Sequence, residues 1–295
     1  MNTSMHHFCL TSNDKSLDPR KIPISLIIFL QSRLVNNRQL SNRIKIRIRN
    51  SIYRRVISKK IYETFTGQHW LAERLQFEGK CLQAVEILEK LIQKNHTPSM
   101  AALAHILMDG REHIKQDHNR MFELLDIGLL KDCHECKGVT ASFHMYRDWD
   151  PKSIPIDQCF QLAKSSAKRN SKFGMEALGM YHLHTIDGNR DRAIEYLDKA
   201  ARLGECKSMY KLGMMHRWGN CLPQDTSQAA IWYELAAAQG FPGTLDLIAQ
   251  MYKDGVGVPC DIDKAIYWYK RAVAANCRDA TLFLDRAINK KIKLE

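Results

Sequence analysis

The chain has 295 residues, 45% apolar and 26% charged, with 15 Gly and 8 Pro, a composition that excludes a collagen-like or mainly disordered polymer. Its net charge of +12 is lopsided: residues 1–62 carry thirteen Lys and Arg against only Asp14 and Asp18, while the remaining 233 residues are close to neutral. Nucleic acid is therefore not expected as a partner of the body of the protein, and only the basic start is a candidate for it.

That start, residues 1–62, reads as an arm. Its longest apolar run, Leu26 to Leu30 with Ile22 and Ile24 before it, is far short of the ~20 residues a spanning helix needs. Asp14 and Asp18 ahead of the run, and Arg33 after it with no small-residue cleavage pattern, argue against a secretory leader. From Pro19 to Tyr62 there is no acidic residue, and Ile44, Ile48, Ile52 and Val56 recur at every fourth position among the arginines. A basic amphipathic helix fits this spacing, although the alternation from Arg43 to Arg49 equally fits a short strand. An acid-free, Arg-rich start has the look of a mitochondrial transit segment, so a mitochondrial location is expected, with the cytoplasm as the alternative. Asp14, Asp18 and the depth of the basic stretch count against it. The competing readings are an arm for an anionic membrane surface or for RNA.

Residues 63–295 read as helical repeats. In chain order, the marks Ala84, Ile87, Leu91 and Asn95 are followed by Met121, Leu124, Gly128 and Asp132, then by Cys159, Leu162, Ser166 and Asn170. The later copies are sharper: Ala193, Tyr196, Ala200 and Gly204; Ala229, Trp232, Ala236 and Gly240; Ala265, Trp268, Ala272 and Asn276. Upstream of the last two sets, Leu212-Gly213-Met214-Met215-His216 aligns without a gap on Ile248-Ala249-Gln250-Met251-Tyr252, 36 residues on. About six units of 34 to 38 residues result, each predicted to be two helices joined by a turn. Small residues let the helices approach closely, and Gly219, Gly255 and Gly257 supply the positive φ of the turns.

The run Tyr252, Gly255-Val256-Gly257-Val258, Asp261, Lys264-Ala265 and Trp268-Tyr269 resembles the Sel1-like repeat, a relative of the tetratricopeptide repeat. The resemblance is sharpest over residues 174–288 and weakest over 66–99. Thr185-Ile186-Asp187-Gly188 replaces the Gly-x-Gly loop in one unit, and Ser142-Phe143 stands where Leu-Gly is expected in another. It implies an all-α, right-handed α-solenoid of about six helix-turn-helix units, used as a non-enzymatic scaffold or adaptor that binds a protein partner along its concave face.

Helical arithmetic places Ser208, Leu212 and His216 on one stripe and Lys211, Met214 and Trp218 on another. If the first is core, the second faces a groove, where Met180 and His184 of the preceding unit and Leu247 and Gln250 of the following one take matching places. Such a mixture suits a peptide or helix, because apolar and aromatic groups supply most binding energy. The alternative is that Met214 and Trp218 pack on neighbouring helices. Trp232, Tyr233, Trp268 and Tyr269, at repeated positions, are expected in the core.

Little else in the sequence carries chemistry. Cys133-His134-Glu135-Cys136 is a lone CxxC, expected to be ordinary surface or turn residues; whether it binds metal or forms a disulfide is open. Nine scattered cysteines point to a reducing compartment, with Cys159 standing where other units have Ala. There is no phosphate-binding P-loop, GxSxG or HExxH pattern, and neither a cofactor nor enzymatic activity is expected.

Overall fold

A computed structural model describes residues 65–292 apart from 112, 146–153, 186 and 187. The basic arm, with the boundary drawn after residue 62, lies outside the described residues. The described residues hold thirteen α-helices. Six hairpins follow in order: α1 (Phe65–Phe77) with α2 (Cys81–Gln93), α3 (Thr97–Asp109) with α4 (His118–Leu130), and α5 (His134–Met145) with α6 (Ile156–Ala167). Then come α7 (Lys172–His184) with α8 (Arg190–Arg202), α9 (Cys206–Trp218) with α10 (Thr226–Ala238), and α11 (Pro242–Asp254) with α12 (Ile262–Ala274). A last helix, α13 (Ala280–Ile292), covers the end of the stack. Among the described residues there is no strand, only an isolated bridge between Arg111 and Ile114, and no helix long and apolar enough to cross a membrane.

The repeat marks explain why each pair forms and stops. The first mark of every unit, Ala84, Met121, Cys159, Ala193, Ala229 and Ala265, is buried at a helix seam. The last, Asn95, Asp132, Asn170, Gly204, Gly240 and Asn276, has φ between 54° and 92° in all six units. Only Gly, Asn and Asp take that left-handed conformation readily, so these residues end the second helix and turn the chain into the next hairpin. Starts are fixed as firmly. Asp117, Asn189, Asp225 and Asp261 each accept a backbone N–H of the first helical turn at 2.9–3.0 Å, caps worth about 1 kcal/mol apiece.

Close approach depends on missing side chains. A Cβ on Gly213 would stand 2.5 Å from Tyr233, and one on Gly179 would stand 2.7 Å from Leu197, so the Leu-Gly pair lets α9 meet α10 and α7 meet α8. In the third hairpin, where Ser142-Phe143 replaces that pair, the contact has moved one turn back to Gly138, which faces Ser166 and the backbone of Gly174. Trp232, Tyr233, Trp268 and Tyr269 are all buried, as their repeated positions predict.

The array also curls back on itself. Arg271 on α12 donates to the carbonyl of Ala238 beside Gly79, and the Cys81 thiol reaches the Gln239 carbonyl at 3.7 Å. Further along, the amide of His113 donates to Ala274 O at 3.1 Å. Within residues 68–295, the first two hairpins thus touch the fifth and sixth, and the fourth through the Lys172–Glu73 ion pair, so part of the inner surface is occupied by the protein itself.

Candidate partner-binding surface

The occupied part of the inner surface is polar. Glu205, at the N-terminus of α9, is buried, accepts the Lys207 backbone N–H at 3.1 Å and lies 3.1 Å from His105 Nε2 of α3. Lys207 Nζ meets Asp109 Oδ1 at 3.1 Å, and Arg111 donates to Cys206 Sγ at 3.2 Å with its guanidinium over the Phe241 ring. Nearby, Lys172 pairs with Glu73 at 2.8 Å. Burial works against the Glu205 carboxylate, but His105, Lys172 and the Lys207 amide outweigh it and hold it at about 2. Burial likewise keeps the His105 imidazole below its ordinary value despite Glu205, with Arg111 and Lys207 acting in the same direction.

Among the described residues, His105, Glu205 and Cys206 form the one group whose ligand atoms come within 4.8 Å of one another. A divalent ion needs uncompensated negative charge there. Arg111 already faces the sulfur, burial pushes the Cys206 thiol up to about 12, and Lys172 stands beside Glu205. The group fits a clamp that joins the second hairpin to the fifth.

Cys133 and Cys136 correct the expectation of surface or turn residues. Both are buried thiols at the start of α5, and Cys136 packs against Gly128 of α4, where a Cβ would collide with its sulfur. The Cys136 thiol donates to the Thr97 carbonyl at 3.8 Å; its closeness to Cys133 outweighs burial and lowers Cys133 to about 6, while Cys136 is pushed up correspondingly. Their place is the seam between the second and third hairpins.

An open surface lies elsewhere, between α7 and α9. Leu183 and His184 at the end of α7, Arg190 at the start of α8, Lys211, Met214, Met215 and Trp218 of α9, and Asn220 and Cys221 beyond it line a pocket of about 400 Å³. Four residues expected at a groove, His184, Lys211, Met214 and Trp218, come together here. Two others lie on α11, outside the pocket lining: Gln250 is exposed, and Leu247 is half-buried against the same apolar cluster as Met214. Met180 is not part of this wall; it is fully buried against Met145 and Cys159, because the matching stripe on α7 turns toward the third hairpin. Besides Met215, the neighbour of Met214 on α9, sequence reasoning missed Leu183, Arg190, Asn220 and Cys221. Helical spacing finds stripes along one helix, whereas these residues come from hairpin ends that only the stacking brings together.

Four segments, 97–125, 173–205, 206–241 and 247–277, match the Sel1 repeat. The chain belongs to the Sel1 repeat family. The Sel1 matches cover the hairpins from α7 to α12 and much of the second; the first and third adopt the same helix pairs with more divergent residues. A Sel1 repeat protein from Oxalobacter formigenes is 30% identical over 42% of this chain and 95% of its own, with a TM-score of 0.41. A protective antigen of uropathogenic Escherichia coli with an SLR fold is 21% identical over 91% of this chain and 57% of its own, with a TM-score of 0.45. An immunity protein from Pseudomonas aeruginosa is 13% identical over 72% of this chain and 83% of its own, with a TM-score of 0.44. No curated protein matches the chain. Sel1 repeats are in general protein-interaction scaffolds, a fold that supplies surfaces without catalytic groups of its own.

Proposed function

We propose that this Sel1 repeat protein is a non-enzymatic scaffold that holds a protein partner against the face formed by α7, α9 and α11, with Trp218 as its central anchor. One observation carries the reading. Trp218 is 65% exposed beside a pocket, while Trp232 and Trp268, at the repeated aromatic position, are 9% and 6% exposed. An accessible tryptophan flanked by Met and Leu is the composition of a binding hot spot.

The basic arm, residues 1–62, serves in this reading to direct the scaffold to mitochondria as an assembly or maintenance factor; its support is the acid-free stretch from Pro19 to Tyr62. In the alternative, the arm itself tethers the protein to lipid or RNA and the solenoid is passive.

A single comparison of full chain, Trp218→Ala and a deletion of 19–62 tests both. Trp218→Ala is expected to weaken partner capture by about 2 kcal/mol, roughly thirtyfold, while leaving stability within about 0.5 kcal/mol. Trp232→Ala, in contrast, lowers stability by about 3–5 kcal/mol. Deletion of 19–62 is expected to abolish mitochondrial accumulation with capture retained. If it instead removes salt-sensitive binding to anionic vesicles or RNA by an uncleaved chain, the tethering alternative holds. Unfolding of Trp218→Ala would place that ring in the core and displace the proposed surface.

A further inference from the structure

We propose that Cys133 and Cys136 form a redox-active dithiol, oxidised by a peroxide to an intramolecular disulfide with Cys133 as the attacking sulfur. Neither residue lines the α7–α9 pocket, so the site stands or falls independently of the scaffold reading. Both are free thiols, three positions apart at the start of α5. The Cys133 carbonyl accepts the Lys137 backbone N–H at 3.1 Å, so Cys133 opens the helix and Cys136 lies within its first turn. There the Cys133 sulfur is faced by the Cys136 sulfur, by the backbone N–H groups of Cys136 and Glu135 and by the Thr97 hydroxyl. Among the described residues, no third His, Cys, Asp or Glu brings a ligand atom within 4.8 Å of both sulfurs, which favours a disulfide over a metal ion.

The two thiols are not equivalent. Cys136 is fully buried against Gly128 of α4, and its thiol donates to the Thr97 carbonyl of α3 at 3.8 Å. Cys133 keeps 5% exposure, next to the exposed Asp132. The closeness of Cys136, with the N–H groups and the Thr97 hydroxyl, outweighs burial and lowers Cys133, whereas burial raises the thiols of Cys159 and Cys206. The sulfur that keeps contact with solvent is thus the one whose thiolate is stabilised, and those two properties together select a cysteine for oxidation. With hydrogen peroxide, the Cys133 thiolate attacks one oxygen and breaks the O–O bond, giving a sulfenic acid and a hydroxide that takes up the proton Cys133 lost. The Cys136 sulfur then attacks the Cys133 sulfur; the S–S bond forms, and the sulfenic oxygen leaves with the Cys136 proton as a second water. Oxidation removes the donor that Cys136 gives to Thr97, at the seam between the second and third hairpins.

The test exposes the full chain to hydrogen peroxide, quenches with an alkylating agent and follows the tryptic peptide of residues 132–137, which holds both cysteines between Lys131 and Lys137. That peptide is expected to become lighter by two hydrogens, to be restored by dithiothreitol, and to react at least about tenfold faster than the exposed Cys260. In Cys136→Ser, dimedone is expected to trap a sulfenic acid at Cys133; in Cys133→Ser, Cys136 is expected to stay unmodified. The native peptide keeps the test valid if either variant is poorly folded. A pair that stays reduced while Cys260 is oxidised overturns the proposal, as does a disulfide from either residue to a different cysteine. Purified chain that carries zinc and resists peroxide until a chelator removes the metal assigns the pair to an ion and overturns it too.

Discussion

Replacing Glu205 with Leu is expected to destabilise the protein by about 3–5 kcal/mol, enough to lower Tm by about 10 °C in thermal unfolding. The carboxylate caps α9 through the Lys207 amide, faces His105, and offsets Lys172 across the curl of the array. Its loss leaves the buried Lys207 amide and the His105 ring without their carboxylate and removes part of the negative charge facing Lys172, which costs more than the apolar burial of Leu returns. A surface pair makes the contrast: Lys199→Ala, which removes the i,i+4 partner of Glu195, is expected to cost under about 0.5 kcal/mol.

The same cluster fixes the sign of the pH dependence. The Glu205 carboxyl sits at about 2 in the folded protein, below its unfolded value, so its stabilisation is complete above the ordinary carboxylate range and is lost as pH falls toward 2. His105, buried and lowered, binds its proton less readily folded than unfolded, so stability also declines as pH drops below its ordinary value of 6.5. Both contributions act in one direction. Denaturation midpoints measured from pH 7 to pH 3 should fall steadily for the native chain and less steeply for Glu205→Gln; an unchanged slope contradicts the clamp.

The second large effect is expected at Gly138. A Cβ there would lie 2.6 Å from Ser166 Oγ and 2.7 Å from the backbone N of Gly174, and one on Gly174 would lie 2.5 Å from the backbone N of Ala167. The hydroxyl can rotate away, but the backbone cannot. Gly138→Ala gains about 1 kcal/mol in helix propensity, and the steric penalty outweighs it. Gly138→Val, with a larger and stiffer side chain, is expected to cost about 3 kcal/mol, measured by urea unfolding. A rise in midpoint for Gly138→Ala would show that α5 and α7 are less tightly apposed than described.

How much of this was legible in the sequence follows from the range of each interaction. The left-handed ends at Asn95, Asp132, Asn170, Gly204, Gly240 and Asn276, and the Asp caps at 225 and 261, are set within a few residues, and the repeat displays them directly. Small residues at the seams were readable because six copies share them. Glu205, Lys207 and Arg111 were not, since a charge on a helix end looks the same whether it meets solvent or a partner some 95 residues away, as Arg111 does at Cys206. Met180 illustrates the same limit: its spacing matches Met214, yet the third hairpin covers one and leaves the other beside a pocket. Cys133 and Cys136 looked like turn residues until Gly128 brought α4 against them.

The most direct measurement places a photo-crosslinking amino acid at His184, in the pocket wall, and separately at Leu130 on α4, an apolar residue that is 89% exposed and is not among the residues lining the pocket. Illumination in cells should join the protein to a partner from position 184, lose that product in the Trp218→Ala background, and give no equivalent product from position 130. A partner captured equally from both positions, or only from 130, would contradict the assignment of the α7–α9 face as the working surface of this Sel1 solenoid.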